Sequence, residues 1–535
     1  MASSLVSVFP NLILKNSSPR RRRIGVFVAN LNLEQNSVFP LKSHKQESVK
    51  DMMRLNFEQK LEMARSMLIS QVKQPASAIG MIDMLQKLGI DYHFSKEIET
   101  ITSDLYESFS TYNGSLHHVA LGFRLLRQHG YYTSPDVFCR FMNNKGLFEV
   151  SLKEDLRGLL SLYEASHMDI GEDILCTAKE FSSEHLKACI DNVGVVWKRN
   201  IEHALQKPIH LSLQRNNVRH YICQLEGEHE MSNALKELAK TDFNHVQSLH
   251  RTEYSEYLRW WKMLDLSKES QLFRDQPMKW FAWTTAAIFE PRLSKHRLLL
   301  AKVVAIVYVI DDLFDVLGSH EELIQFSEAV ERWENSPTTL PSYTKKCYHT
   351  IYNITNEIAN FVLCEHGWNP LNALRKSELL RKQPSISKME QRPQEFLCLI
   401  HIYYLLGNEA STGTTAILNN DASKSFELAA LSLRLWDDLG SAKDENQEGF
   451  DGSYVECYMK EYGVSFESAR EHAMEMISNA WKELNKECLL SNHFPQIFKH
   501  AMLNIVRMMK VMYTYEDQRL PMLEEYSRLN LLEDI

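Results

Sequence analysis

The sequence predicts an all-α protein built from two helical domains. From about residue 50 onward apolar residues recur at spacings of three and four, as at Leu156, Leu159, Leu160 and Tyr163. This is the pattern of helices with one buried face. Only 19 of the 535 residues are glycine and 15 are proline, too few for a turn-rich β fold. A chain of this length exceeds one ordinary core, so two domains are expected.

Composition narrows the range of partners. The hydrophobic fraction of 44% indicates a packed globular protein, and the net charge of −9 argues against a nucleic-acid partner. The nine cysteines include no CxxC pair, which predicts reduced thiols and no disulfide or zinc framework. The apolar run at residues 303–310 is too short to cross a bilayer, so no membrane span is expected.

Residues 1–48 differ from the rest of the chain. They contain no acidic residue before Glu34, many serines, and the basic block Arg20 to Arg23. A segment rich in serine and arginine and poor in acids is typical of an organelle transit peptide. A disordered basic tail without a targeting role is the alternative. Met52 and Met53 offer a second start, which would give a cytosolic form.

The remaining chain divides near residue 228. Ser134, Pro135 and Asp136 predict a helix start, because serine caps, proline suits the first turn and an acid suits the positive end of the dipole. Phe138 and Phe141 are expected to face inward. The segment 235–264 carries mixed charge and predicts the opening helix of a second domain. We therefore expect domains at 49–228 and 229–535, with a proline-containing loop at 381–394.

Three carboxylates follow a largely apolar stretch, residues 298–310, in the second domain: Asp311, Asp312 and Asp315. On a helix they repel one another, and a buried helix end tolerates that charge only if a cation offsets it. Oxygen ligands of this kind suit Mg²⁺, which often shares its coordination shell with substrate phosphates. The motif predicts a metal-dependent enzyme acting on a diphosphate, although such a motif also arises by chance.

A second acidic set follows another apolar helix at residues 429–436. Asp437, Ser441 and Glu445 are spaced i, i+4 and i+8, so a helix places their oxygens on one stripe. A lone polar stripe usually faces solvent, but two acidic sets ending apolar helices predict a clamp for Mg²⁺ and a diphosphate. Three basic residues are candidates to contact the phosphate oxygens: Arg274, Arg434 and Lys460. For Arg434 a surface ion pair is the alternative.

Loss of a diphosphate leaves a carbocation, which requires a dry pocket with aromatic faces worth about 1–2 kcal/mol each. Aromatic residues precede and follow the acidic sets: Trp280, Phe281, Trp283, Tyr403, Tyr404, Tyr513 and Tyr515. Core packing is the alternative role for any of them. Trp283 is the residue that we expect to form the pocket wall, followed by Tyr513 and Tyr515.

At this point the chain resembles the plant terpene synthases, from about residue 50 to its end. The first domain carries the resemblance at residues 123–130, 134–138 and 158–165. In the second domain the family's aspartate-rich motif is matched by Asp311, Asp312 and Asp315. Its second metal motif, (N/D)Dxx(S/T)xxxE, is matched by four residues: Asp437, Asp438, Ser441 and Glu445.

The resemblance implies an α-barrel N-terminal domain that has lost its own chemistry and a class I catalytic domain. It further implies a prenyl diphosphate substrate and three Mg²⁺ ions, with Mn²⁺ as a possible substitute. The sequence lacks the DxDD motif of protonation-initiated cyclisation. We expect a monomer.

Two departures from the family pattern resemble its acyclic-product subfamily. Many cyclising members carry RRx8W near the start of the mature chain, whereas the first tryptophan here is Trp197. The family's RxR pair reads Arg274, Asp275 and Gln276, so the second arginine is missing. The resemblance implies linalool formed from geranyl diphosphate in plastids, with nerolidol from farnesyl diphosphate as the variant and myrcene or ocimene as the hydrocarbon alternative.

A third departure bears on activity. Residues 381–394 stand where family members have a longer run with pocket-wall residues, so a catalytically impaired relative is one alternative. A chain-elongating prenyltransferase is another, but it would repeat DDxxD where this chain has Ser441 and Glu445.

Overall fold

The computed structural model describes residues 44–71, 74–224, 230–266, 273–335, 337, 340–379, 420–444, 453–490, 494–515 and 519–535. Within these ranges the chain is helical, without β-strands, and its one isolated bridge joins Met142 and Phe148. The all-α prediction is confirmed. Several predicted features lie outside the described residues: residues 1–43, the segment 381–394, Tyr403, Tyr404 and Glu445.

The first eight α-helices form the N-terminal part of the molecule. In chain order they are α1 (His44–Ser70), α2 (Pro75–Lys87), α3 (Ser95–Phe109), α4 (Leu116–Gln128), α5 (Leu156–Ser166), α6 (Asp173–Cys189), α7 (Val195–Gln206) and α8 (Gln214–Gln224). Helix α4 packs against α5, and α5 packs against α6. The core between them contains the completely buried rings of Phe94, Phe123 and Phe138.

The predicted helix start at Ser134 is present but opens a short 3₁₀-helix, Pro135–Phe141. The Ser134 hydroxyl accepts the backbone N–H of Asp136 at 3.3 Å, as a capping residue does. Phe138 is completely buried, whereas Phe141 is only half-buried. Both phenylalanines contact the N-terminal core, Phe138 from inside it and Phe141 from its edge, in line with the prediction that they face inward. In a 3₁₀-helix residues three apart eclipse one another, so such helices are short, and this one ends after about two turns.

Helix α9 (Glu230–Leu264) connects the two parts of the molecule. Leu235 and Phe243 pack into the N-terminal core, whereas Tyr257 and Trp261 pack into the C-terminal core. The expected opening helix of the second domain thus belongs to that core only in its second half. At about 1.5 Å per residue the helix extends roughly 50 Å, longer than either core alone. The boundary near residue 228 lies outside the described residues and stays a proposal.

The C-terminal part contains the remaining helices. They are α10 (Pro277–Ala287), α11 (Ser294–Asp312), α12 (His320–Arg332), α13 (Ser342–His366), α14 (Leu371–Leu379), α15 (Asn420–Asp444), α16 (Tyr454–Tyr462), α17 (Phe466–Leu490), α18 (Gln496–Tyr513) and α19 (Pro521–Ser527). Helix α10 packs against α11 and α18, and α18 packs against α15. The helices that carry the two acidic sets, α11 and α15, therefore flank the pair α10 and α18.

Helix α11 is attached to α9 by a buried ion pair. The Arg297 guanidinium donates to both carboxylate oxygens of Glu253, at 2.7 Å each, and also to the carbonyl of Ile288 at 2.9 Å. Arg297 is completely buried and Glu253 is 2% exposed. Buried charges persist when they are paired and fully hydrogen-bonded, so this pair fixes the helix that ends in the first acidic set.

Polar contacts join the two parts of the molecule. The His210 ring hydrogen-bonds to Asn485 of α17 at 2.9 Å, and the carbonyl of His210 accepts from Arg507 of α18 at 2.8 Å. Lys482 also pairs with Asp169 at 3.0 Å. The cysteines of the described ranges are free thiols. Within those ranges no helix has both the length and the apolar character needed to cross a membrane.

Candidate active site

The first acidic set stands at the end of α11. The α-helix stops at Asp312, and the chain continues as a π-helical turn, Leu313–Leu317, in which the N–H of Gly318 donates to the Leu313 carbonyl at 2.8 Å. The sequence predicted one regular helix through Asp315. Wider turns of this kind are frequent at functional sites. The side chain of Asp315 is outside the described residues.

Arg274 holds the end of α11. Its backbone N–H donates to Asp312 at 2.7 Å, and its guanidinium lies 2.7 Å from Asp312 and 3.3 Å from Asp311. The guanidinium also donates to the carbonyl of Tyr308 at 3.2 Å. A cation at a helix C-terminus offsets the negative end of the dipole, so Arg274 neutralises both the carboxylates and the helix end. Its predicted contact with phosphate oxygens stays a prediction.

The second acidic set lies on α15 and repeats this arrangement. Asp438 is 7% exposed, accepts the backbone N–H of Tyr454 at 2.9 Å and pairs with Arg434 at 3.3 Å. Burial raises the pKa of Asp438, which Arg434 and the Tyr454 N–H partly oppose. Among the described residues Asp437 makes no ion pair within 4.0 Å. Ser441 continues the helix, but its side chain lies outside the described residues, as does Glu445.

The two acidic sets face one space. Tyr308 lies on α11, less than one turn before Asp311, and is within electrostatic reach of Asp437 on α15. Burial raises the pKa of Tyr308, and the charge of Asp437 raises it further. Helix α15 also approaches the end of α18 closely, because a Cβ at Gly440 would lie 2.5 Å from the Tyr513 carbonyl. Asp311 and Asp437 therefore border the same region.

Aromatic rings line the adjacent wall. Trp283 is 7% exposed and lies 6.4 Å from the Tyr513 ring between centroids. Trp280 is completely buried and packs against Trp261 and Tyr308. Trp280 thus has the core-packing role, whereas the pocket-wall role of Trp283 stays a prediction. Tyr308 was missed because it reads as part of an apolar stretch.

A second residue that sequence reasoning missed is Lys279. It is the one charged residue of α10 and is 5% exposed. Its ammonium donates to the Tyr515 hydroxyl at 3.4 Å and lies 5.5 Å from the Tyr513 ring centroid. Burial lowers the pKa of Lys279 to about 8, although Asp437 acts in the opposite direction. A lone lysine directly before the apolar run Trp280 to Trp283 was the signal available in the sequence.

The other two predicted phosphate-binding residues, Arg434 and Lys460, are more exposed to solvent than Arg274. The Arg434 side chain is 60% exposed and pairs with Asp438, which is the surface ion pair left open as the alternative. The Lys460 side chain is 43% exposed and pairs with Glu456 on its own helix, α16. The start of α16 is connected to the acidic set through Tyr454. The described residues do not place Lys460 beside the acids, and its role stays a prediction.

The donor set fits a hard divalent cation. In each acidic pair an arginine holds one aspartate, Asp312 or Asp438, while Asp311 or Asp437 borders the shared space. Carboxylate oxygens are the ligands that Mg²⁺ prefers. No group of three His, Cys, Asp or Glu side chains with metal-binding geometry is present among the described residues. Three predicted ligand side chains lie outside that set: Asp315, Ser441 and Glu445.

Two family profiles match the chain. The profile described as "Terpene synthase, N-terminal domain" matches residues 30–205. The profile described as "Terpene synthase family, metal binding domain" matches residues 262–390 and 395–483. The interruption at 391–394 falls in the segment that sequence analysis found to be short. The second profile contains both acidic sets.

Curated relatives cover most of the chain. An (E)-nerolidol synthase of Cannabis sativa is 43% identical over 480 residues, which is 83% of this chain and 87% of the relative. A chloroplastic S-(+)-linalool synthase of Arabidopsis thaliana is 36% identical over 549 residues, 98% of this chain and 95% of the relative.

A solved structure shares the architecture. The isoprene synthase of grey poplar, in complex with three Mg²⁺ ions and dimethylallyl-S-thiolodiphosphate, superposes with a TM-score of 0.78 at 30% identity. The match covers 90% of this chain and 97% of that chain. The resemblance found in the sequence and the expected class of enzyme are thereby confirmed. The chain belongs to the terpene synthase family, and its relatives are lyases that act on prenyl diphosphates.

Proposed function

We propose that this protein is a Mg²⁺-dependent synthase that converts geranyl diphosphate into linalool. Farnesyl diphosphate, giving nerolidol, is the variant substrate. The observation that carries the proposal is the pairing of two arginine-held acidic sets, Asp311/Asp312 and Asp437/Asp438, around a space walled by Trp283. An acidic clamp beside a dry aromatic wall suits departure of a diphosphate and survival of a cation.

Asp311, Asp315, Asp437, Ser441 and Glu445 are the proposed metal ligands. Magnesium, when bound, offsets the negative charge that develops on the leaving diphosphate. Asp312 holds Arg274 in place beneath the first set. The carbon–oxygen bond breaks heterolytically, and its electron pair remains on the diphosphate oxygen.

The remaining allylic cation is held against aromatic faces. The rings of Trp283 and Tyr513 lie 6.4 Å apart between centroids, tilted by 56°. Each desolvated ring face contributes about 1–2 kcal/mol toward a nearby cation. Water then captures the tertiary end of the cation, and the departed diphosphate accepts the proton that the water loses, which gives an acyclic alcohol.

The acyclic outcome is proposed from two sequence features. The chain has no tryptophan before Trp197, and Gln276 stands where cyclising members have a second arginine. Without a tight N-terminal lid, water reaches the allylic cation before the ring closes. The printed names of the nerolidol and linalool synthases above agree with this class of product for those proteins.

We also propose a plastid location, directed by residues 1–48. The chloroplastic linalool synthase relative supports it, as does the acid-poor, arginine-rich composition of this segment. A fluorescent protein fused after residue 48 should enter plastids, whereas a fusion that starts at Met52 should stay in the cytosol. Plastid entry of both fusions would contradict this assignment.

Product analysis by gas chromatography tests the function. The chain truncated near Lys50 is incubated with Mg²⁺ and either geranyl or farnesyl diphosphate, with Asp311→Asn as the inactive control. Linear alcohols are expected, and linalool should form faster than nerolidol. Mostly cyclic hydrocarbons would contradict the proposal.

The same assay separates the alternatives. Myrcene or ocimene would indicate quenching by proton loss. Elongated prenyl diphosphates formed with added isopentenyl diphosphate would identify a prenyltransferase. Diphosphate binding without any volatile product would indicate an impaired relative, in line with the profile interruption at residues 391–394.

A further inference from the structure

Lys279 is a buried cation that contacts no carboxylate of the described part of the chain. Its side chain is 5% exposed, and within the described ranges no carboxylate approaches its ammonium within 4.0 Å. Its one recorded hydrogen bond, to the Tyr515 hydroxyl, is long at 3.4 Å. The rings of Tyr513 and Tyr515 lie 5.5 and 5.8 Å from the ammonium.

This environment is costly for the folded protein. A charge removed from water without a partner is strongly disfavoured, and lysine is rarely buried unless it is paired. The two tyrosine faces offset only part of this cost. Helix α10 would pack at least as well with an apolar residue at this position. A costly residue of this kind is expected where it serves a ligand.

The position of Lys279 points to that ligand. It precedes Trp283 by four residues, so both side chains lie on one face of α10 and both contact the Tyr513 ring. The charges of Asp437 and Arg274 also act on the Lys279 ammonium. Lys279 therefore stands at the junction between the aromatic wall and the two acidic sets, where the charged end of a substrate meets its hydrocarbon end.

We propose that Lys279 binds the diphosphate group of the substrate and supplies the positive charge that Gln276 does not. Gln276 and Lys279 are three residues apart at the start of α10, so they lie on neighbouring positions of one face. The inference rests on the proposed function, because it takes a prenyl diphosphate as substrate.

The ammonium also acts on the leaving group after the bond breaks. The diphosphate then holds the electron pair of the carbon–oxygen bond, and its charge is greatest next to the carbocation. A fixed cation within a dry site stabilises that charge more strongly than one in water. Lys279 thereby serves both binding of the substrate and departure of the diphosphate.

The test is calorimetric binding of inorganic pyrophosphate, in the presence of Mg²⁺, to the full chain. Lys279→Met should bind about ten- to a hundredfold more weakly, the range expected for loss of one charge-assisted hydrogen bond. Lys279→Arg should stay within a fewfold of the wild type. Wild-type affinity in Lys279→Met would overturn the inference.

Lys499→Met is the matched control. Lys499 is another buried lysine, 3% exposed, whose pKa burial also lowers. It lies on α18 roughly 21 Å before Tyr513, so its replacement should leave pyrophosphate affinity unchanged. Equal weakening in both variants would indicate a general effect of removing a buried charge, and would overturn the specific role.

Thermal unfolding without ligand separates binding from a structural role. Lys279→Met should unfold no earlier than the wild type, because it removes an unpaired buried charge; a lower unfolding temperature would identify a structural lysine. If the methionine variant does not fold, Lys279→Gln carries the binding comparison. Pyrophosphate binding does not depend on the product, so cyclic products would refute the acyclic function and leave this result standing.

Discussion

The backbone N–H of Arg274 donates to the Asp312 carboxylate at 2.7 Å, and the guanidinium of the same arginine lies 2.7 Å from the second oxygen of that carboxylate. Asp312 is 5% exposed and is thus enclosed by the segment it holds. Asp311, its neighbour, lies farther from the Arg274 guanidinium, at 3.3 Å. Adjacent aspartates in one motif therefore have different surroundings.

This difference predicts different effects of two substitutions. Asp311→Asn should lower kcat at least about a hundredfold and raise the Mg²⁺ concentration needed for half-maximal activity, because it removes a metal ligand. Asp312→Asn should leave the Mg²⁺ requirement nearly unchanged but lower the unfolding temperature, because the half-buried Arg274 loses its shortest ion pair. Steady-state kinetics across a Mg²⁺ titration and thermal unfolding check both.

Asp104→Asn is the control, since Asp104 is an exposed acid of α3. It should change neither measurement. If Asp312→Asn raised the Mg²⁺ requirement as much as Asp311→Asn, Asp312 would be a metal ligand, as its position in the motif first predicted.

Trp283 provides a test of the aromatic wall. Trp283→Leu should lower kcat/KM about five- to thirtyfold, the factor that corresponds to loss of about 1–2 kcal/mol of cation stabilisation. Trp283→Phe keeps a ring and should lose less. Trp197→Leu alters an exposed tryptophan of α7 and should have no effect. Equal losses for leucine and phenylalanine at position 283 would mean that the ring face is not what matters.

The buried pair of Arg297 and Glu253 should be important for stability. Arg297→Met leaves a carboxylate that is 2% exposed without its partner, which should cost about 3–5 kcal/mol in the free energy of unfolding. Arg292→Met is the matched control, because Arg292 pairs with Glu290 while 65% exposed, and such pairs contribute at most about 1 kcal/mol. Denaturant unfolding of the two variants checks the contrast, which fails if both lose the same stability.

Glu164 predicts a pH-dependent stability. It is 7% exposed and accepts the backbone N–H of Ile209 at 2.8 Å. Burial raises the pKa of Glu164 from 4.5 to about 7, although Arg124 partly opposes the shift. The unfolded state releases its proton at the lower pH, so the contribution of Glu164 is fully present below about pH 4.5 and is lost as pH rises through about 7.

Glu164→Gln cannot ionise, so its stability relative to the wild type should rise by up to about 3 kcal/mol between pH 5 and pH 8. Thermal unfolding at both pH values measures this change. Glu180→Gln, at an exposed position of α6, should show no such trend. A constant difference between Glu164→Gln and wild type across this range would contradict the assignment.

Removing Mg²⁺ should abolish the stabilisation of the protein by pyrophosphate. Mg²⁺ with pyrophosphate should raise the unfolding temperature, since a ligand present at a hundred times its dissociation constant stabilises by about 2.7 kcal/mol. Pyrophosphate with a chelator should give little or no shift, because the acidic sets repel an anion that brings no cation. A full shift in the presence of chelator would show that the basic residues alone bind the diphosphate.

Much of the fold could be predicted from the amino-acid sequence. Helix α5 follows the spacing of Leu156, Leu159 and Tyr163, and α11 follows the apolar stretch before Asp311. Helical periodicity is a local property, so it can be read along the chain. The family and the class of enzyme were accessible for a similar reason, because the metal motifs are short and contiguous.

The contacts of individual charged side chains could not be predicted from the sequence. Arg274 reads as a phosphate-binding cation, yet it pairs with Asp312, which lies 38 residues farther along the chain. Lys279 reads as an incidental lysine, but the packing of α10 against α18 places it between tyrosine rings. Side chains far apart in the sequence meet only after the helices have packed.

Order along the chain thus specified the helices, the two acidic motifs and the membership of the terpene synthase family, because each depends on residues within a few turns of one another. Tertiary packing alone decided that Arg274 pairs with Asp312, where α9 passes from one core to the other, and that a lysine is buried beside the acids. Those outcomes depend on contacts between distant segments, and the free energy of a charge depends on its surroundings in space.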